Sequence, residues 1–335
     1  MSIWTYWAAA LIAAQVPPPL AAMPDASPAT GNAQPTVIDE FASVDDPSDE
    51  VLTSETDYYE RMTVPVTIEG QGPFRFMIDT GAQATVVTRG LTEQLNLAPA
   101  GSATVVGMGS RRLVQLVELN GLEFAQRVID DISAPMLEAR NVGADGILGL
   151  DSLQDLRVMI DFRDGTIAVN DSKALGGDNG YEIIVRARHR LGRLIITSAE
   201  IDGVRTAVVL DTGAQSSFGN RKLQRRLRTR NMTEVSSTDV NGVQIEGDRH
   251  LAKSLRIKQM QLTNMPITFA DSPAFAALGL DKRPALILGM RDLRLFDRVA
   301  IDFATRTVLF DMPSGAIRSG KSSGGVRKKF RPTRL

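Results

Sequence analysis

The five-residue word Asp-Thr-Gly-Ala-Gln occurs twice, as Asp79-Thr80-Gly81-Ala82-Gln83 and as Asp211-Thr212-Gly213-Ala214-Gln215. A carboxylate next to a hydroxyl and a glycine is a common turn at the end of a strand. Two identical copies in one chain suggest more: a pair of carboxylates presented the same way by two halves and meeting on a pseudo-twofold axis. Like charges held about 3 Å apart cannot both ionise easily, so one carboxyl serves as an acid while the other serves as a base. With no cysteine in the chain, thiol nucleophiles, thiolate metal sites and disulfides are excluded. His189 and His250 are the only histidines, too few for a His-based metal centre, and neither a metal nor a cofactor is expected.

The elements that must position these aspartates are repeated with them. Apolar runs at 74–78 and 206–210 lead straight into Asp79 and Asp211, and Ile-Leu-Gly answers each one downstream, at Ile147-Leu148-Gly149 and Ile287-Leu288-Gly289. The offset is 132 positions for the aspartates, 140 for Gly149 and Gly289, and 141 for Asp161 and Asp302. A repeat this long is a duplicated domain with a small loop insertion, not a solenoid. Around it the pattern is short β-type runs. Residues 62–69 alternate, 70–73 turn, 194–201 and 206–210 flank Asp202-Gly203, and Asn120-Gly121 signals a hairpin after 114–119. Residues 158–162 and 166–169, like 299–303 and 307–310, read as further hairpins, with Asp161 and Asp302 in structural positions. Only 91–97, 150–156, 221–228 and 290–296 read as short helices. Frequent turns, little helix and duplication predict two all-β lobes with the aspartates in the cleft between them.

The 335 residues allow about two domains. The net charge of −1 hides an uneven distribution: residues 1–60 hold ten acids and no Lys or Arg, while 314–335 hold seven Lys and Arg and no acid. The middle, with 31 basic and 29 acidic residues, offers no broad basic face, so nucleic acid is not an expected partner. Residues 1–22 read as a signal peptide. An apolar run is ended by Pro17, Pro18 and Pro19 and followed by the small-residue site Leu20-Ala21-Ala22, although no Lys or Arg precedes it. The run is too short to span a membrane. Periplasmic or secreted localisation follows, the alternative being an uncleaved tail loosely associated with a membrane. Residues 23–57 read as a disordered acidic linker or pro-segment, 58–170 and 181–313 as the two lobes, 171–180 as the linker between them, and 314–335 as a basic disordered tail.

The segments Phe-Met-Ile-Asp79-Thr-Gly-Ala and Val-Val-Leu-Asp211-Thr-Gly-Ala, with the two Ile-Leu-Gly words, make this chain resemble the pepsin/retropepsin clan of aspartic proteases over about 58–312. Alanine after the glycine is similar to the retropepsin branch, and two lobes on one exported chain are similar to bacterial members. The resemblance implies the bilobal acid-protease fold, with two pseudo-twofold β-barrel-like lobes, short helices and a central cleft. It implies that Asp79 and Asp211 are the catalytic dyad and that Thr80 and Thr212 cross-link the two turns. Gly81 and Gly213 would permit tight turns that bring amides near the carboxylates. It also implies a flap from each lobe. Gly107-Met108-Gly109 sits 28 to 30 positions after Asp79, and Asn241-Gly242 sits 30 and 31 after Asp211. No Tyr lies near either, unlike a pepsin flap.

The activity so implied is hydrolysis of peptide bonds in protein or peptide substrates. One carboxylate draws a proton from a shared water, and the neutral carboxyl donates to the scissile carbonyl oxygen. One chain carries both aspartates, so a monomer suffices. The alternative is a catalytically silent peptide-binding module of the same fold, against which both Asp and both Thr are retained. Whether 23–57 inhibits the enzyme is open; pepsin-type pro-segments are basic and this one is acidic.

Overall fold

In this computed structural model, residues 62–313 are described apart from 191, 230 and 231, together with four short extended segments, Thr5–Tyr6, Leu11–Ala13, Val51–Thr53 and Glu55–Thr56. The expected signal peptide, acidic linker and basic tail otherwise lie outside the described residues.

Alternation makes the first strand pair. In Met62–Ile68, Val64, Val66 and Ile68 are buried while Pro65 is exposed, the period of a strand with one face on the core. Val64 lies opposite Phe76 and Val66 opposite Phe74 of the antiparallel strand Gln71–Ile78. Phe76 is fully buried, worth about 1.5–3 kcal/mol. The turn falls at Glu69-Gly70, with φ of 50° and 72°, and the expected turn residues 71–73 already belong to the strand. The second half repeats the pair with Arg193–Ile201 and Val204–Leu210, joined at Asp202-Gly203 as expected.

Each strand that ends at an aspartate has a parallel neighbour on its other side. Gly146–Leu148 pairs with Gln71–Ile78, and Ala285–Leu288 pairs with Val204–Leu210. These neighbours are the Ile-Leu-Gly segments. Their last glycine is dictated by closeness: a Cβ on Gly149 would strike the Ala84 backbone, and one on Gly289 the Ala214 and Ser216 carbonyl oxygens.

The strands form an eleven-stranded sheet in the first half, a nine-stranded sheet in the second, and a six-stranded sheet shared by both. The fold is all-β and bilobal, with curled sheets. At the centre of the shared sheet Arg157–Asp161 pairs antiparallel with Arg298–Asp302, Met159 facing Ala300. Asp302 accepts from Arg157 Nε at 2.9 Å, and Asp161 accepts from the backbone and side chain of Arg163, so both repeat-related acids are structural as expected. Buried Arg157 also donates to Gly177 O and to Asp178, and Arg298 donates to Gly180 O, pinning 171–180 to this sheet.

Three local expectations are corrected. Asn120-Gly121 does not close a hairpin. Arg111–Leu119 pairs with Pro99–Val106 and Ile132–Leu137, whereas Leu122–Phe124 pairs with Met62–Ile68 and Arg127–Ile129. A tight hairpin turn of this type needs positive φ at both residues, and only Gly121 has it. The predicted helices are Arg89–Leu95, Leu150–Leu153, Arg221–Leu227 and Met290–Leu293, shorter than or shifted from expectation. Two further ones, Ala139–Val142 and Pro273–Ala277, were not anticipated. Among the described residues no helix is long and apolar enough to cross a membrane.

Candidate active site

The two repeated words fold into two equivalent turns packed against each other. In the first, Asp79 N donates to Leu148 O at 3.0 Å and Ala82 N to Asp79 O at 3.3 Å; in the second, Asp211 N donates to Leu288 O and Ala214 N to Asp211 O at the same distances. The turns are tied to the Ile-Leu-Gly side by Leu150 N on Ala82 O and by Met290 N on Ala214 O. Behind each turn stands another matched pair. Thr85 Oγ1 donates to Asp151 at 2.7 Å and accepts from Gly149 N, while Ser217 Oγ donates to Asp292 and accepts from Gly289 N.

Four hydrogen bonds cross between the halves. Thr80 N donates to Thr212 Oγ1 at 3.0 Å and Thr212 N to Thr80 Oγ1 at 3.3 Å. Thr80 Oγ1 donates to Leu210 O at 3.0 Å, and Thr212 Oγ1 to Ile78 O at 2.6 Å. Each hydroxyl thus donates and accepts across the axis while buried, and each such bond contributes about 0.5–1.5 kcal/mol net.

The lock brings Asp79 and Asp211 together. Gly81 N and Ala82 N donate to Asp79 Oδ1 at 2.7 and 2.9 Å, and Gly213 N and Ala214 N donate to Asp211 Oδ1 at 3.0 Å each. Both carboxyls are buried and act on each other. Asp79 Oδ2 finds no partner of good geometry among the described residues, although the Asp211 carboxyl lies close enough to couple to it. Gly81 is required by this contact, since a Cβ there would drive into the Asp211 carboxyl. Burial raises the proton affinity of Asp79, opposed by the Gly81 amide. Burial and then the charge of Asp79 hold Asp211 well above the usual carboxylate range. A pair so placed holds one proton between its two carboxyls over a wide range of pH.

Two hairpin tips, one from each half, meet and pack against the residues that follow the two aspartate turns. Val105, Val106, Met108, Val240 and Ile245 pack into the same apolar clusters as Ala82 and Ala214. Gly107 and Gly109 from one half meet Asp239, Asn241 and Ile245 from the other, and Gly242 lies against Asn141 of the first half. Met108 is fully buried in a cluster of second-half residues that includes Phe275. Asp239, 1% exposed, accepts at Oδ2 from Ser110 Oγ at 2.6 Å and Gly109 N at 3.2 Å. Its Oδ1 accepts from Asn241 N and Val243 N within its own hairpin. Asn241 Nδ2 donates to Ser110 Oγ, and Arg112 Nη1 to Asn241 O.

Asp79, Thr80, Gly81, Asp211, Thr212 and Gly213 are thus brought together, and the two tips that carry Gly107, Met108, Gly109, Asn241 and Gly242 meet each other. Two that matter in these contacts were missed, Asp239 and Arg193; the latter donates to Gly81 O. The repeat offset of 132 pairs Arg193 with Arg61, a like residue, but pairs Asp239 with Gly107 and so gives no signal for it; in neither case does it name the partner across the halves.

A sequence model of a family described as aspartyl protease matches residues 64–152 and 197–291, together more than half of the chain. No curated protein matches it.

Proposed function

Because this chain belongs to the aspartyl protease family, we propose that it is an exported endopeptidase in which Asp79 and Asp211 form one catalytic dyad acting on protein or peptide substrates. The observation that carries this reading is the coupled, buried pair of carboxyls, one from each half, each with one oxygen fixed by two backbone amides. The other oxygens are left for water and substrate. The ionised member of the pair takes a proton from water as the water oxygen attacks the scissile carbonyl carbon, and the neutral member gives its proton to the carbonyl oxygen. The tetrahedral diol then collapses: the carboxyl that took the water proton gives it to the leaving amine, the other carboxylate takes a proton from a diol hydroxyl, and the C–N bond breaks, which restores the singly protonated pair. No acyl-enzyme forms.

In this reading the lobes are 58–170 and 181–313, and a single polypeptide carries a complete site. Gly107, Met108 and Gly109 with Asn241 and Gly242 are flap tips that part to admit an extended peptide and close to exclude water. The silent peptide-binding alternative leaves the matched amide pairs and the retained proton without a use. Asp79→Asn and Asp211→Asn should each abolish cleavage of an unfolded protein substrate while preserving the melting transition; substantial cleavage by either folded variant defeats the assignment. Export rests on residues 1–22, and N-terminal sequencing of protein from its host should find a start near residues 15–30. An intact Met1 on a cytoplasmic protein would refute it.

A further inference from the structure

Arg193 opens the strand Arg193–Ile201, eighteen positions before Asp211, yet its side chain serves the other half. Its Nε and Nη2 both donate to Gly81 O, at 2.9 and 2.6 Å, in the turn that carries Asp79. The residue is fully buried. Burying a guanidinium costs several kcal/mol unless an anion compensates it. A backbone carbonyl is satisfied by any neutral donor, so the contact with Gly81 does not by itself call for a cation. Among the described residues, the acids whose charge acts on Arg193 include Asp79 and Asp211.

We infer that Arg193 is a positioning residue that sets the charge state of the dyad, its buried cation stabilising the singly ionised pair while its fork fixes the Gly81 turn from the opposite half. The meaning of this role rests on the protease reading above. Burial lowers the Arg193 pKa to about 10, which leaves it charged wherever a carboxyl pair titrates. The other charged groups packed around the turns have partners of their own. Asp151 is turned to Thr85 and Ser152, Asp292 to Ser217 with Arg291 acting on it, and Asp239 to Gly109, Ser110, Asn241 and Val243. Arg61, the repeat counterpart eighteen positions before Asp79, lies outside the described residues.

The experiment is a ¹³C titration of the aspartate carboxyls in the full chain, with Asp79→Asn and Asp211→Asn used to assign the pair. In folded Arg193→Gln the first apparent constant of the pair should rise by about one to three pH units. In Arg193→Lys, which keeps the charge but loses the fork, it should stay at the wild-type value while turnover falls. The acid limb of the kcat/KM profile should follow the same order. A folded Arg193→Gln that titrates like wild type, with activity lowered evenly across pH, would reduce Arg193 to a mechanical clamp and overturn the inference. If Arg193→Gln does not fold, Arg193→Lys decides: a wild-type constant supports the role and a raised one refutes it. Failure of the wild-type chain to cleave any peptide would refute the protease reading, and the titration would still judge Arg193.

Discussion

Asp239 joins the two hairpin tips, so Asp239→Asn is a direct test of what holds the tips together. The substitution keeps Oδ1, which accepts from Asn241 N and Val243 N and shapes the hairpin. It replaces Oδ2 with an amide donor that faces two other donors, Gly109 N–H and the Ser110 hydroxyl. The hydroxyl can rotate and accept, but the amide of Gly109 cannot. One bond to a charged acceptor is then lost and the other weakened. At about 1.5–3 kcal/mol for such a bond, the closed arrangement should lose about 2–3 kcal/mol. That corresponds to a roughly 30- to 140-fold larger open population. Hydrogen exchange of a peptide spanning residues 105–112 should accelerate by a similar factor, while the strand Arg157–Asp161 in the shared sheet should exchange as before. Unchanged exchange at 105–112 in the folded variant would show that the apolar plug of Met108 alone holds the tips, and that the polar contacts contribute nothing measurable.

Asp211→Asn should also flatten the dependence of stability on pH. A carboxyl whose folded pKa is raised binds its proton more tightly in the native state, so its stabilising contribution is complete below the unfolded pKa and is lost as pH rises through the folded value. Melting temperature against pH, from about 4 to 8, should therefore fall more steeply in wild type than in the variant; parallel curves would contradict the raised pKa. Ala82 and Ala214 offer no hydroxyl to the pair, so wild type should work best in the mildly acid to near-neutral range. Changing both to Ser should move the bell-shaped rate profile downward. A profile that stays put in a folded double variant would break that link.

The dyad was legible because its determinants are local: a strand, a five-residue turn and a glycine that must pass another backbone all leave marks in the sequence, and the duplication prints them twice. Arg193 and Asp239 were not, because each acts across the halves, on Gly81 and on Gly109 and Ser110, and no periodicity encodes a partner over a hundred positions away. Asn120-Gly121 misled for a related reason. Composition announces a change of direction but does not name the strand that receives the chain, and Leu122–Phe124 goes to Met62–Ile68. The helix Pro273–Ala277 did carry a signal that went unread: Ser272 caps it by accepting from Ala274 N, with proline at its start.

The two hairpin tips show what duplication permits. In a twofold assembly of identical chains every contact on the axis must be its own mirror in chemistry, so neither tip could specialise. Here one tip buries a methionine in an apolar cluster of the other half, and the other tip supplies an acid and an amide that bond Gly109 and Ser110. Asp79 and Asp211 themselves sit in near-identical turns, so the difference between the halves lies in the tips. A polypeptide has a direction, and a symmetric groove receives it equally well either way round. A groove with unlike ends distinguishes amino-to-carboxyl from carboxyl-to-amino, so that the same residue of a substrate always meets the same wall.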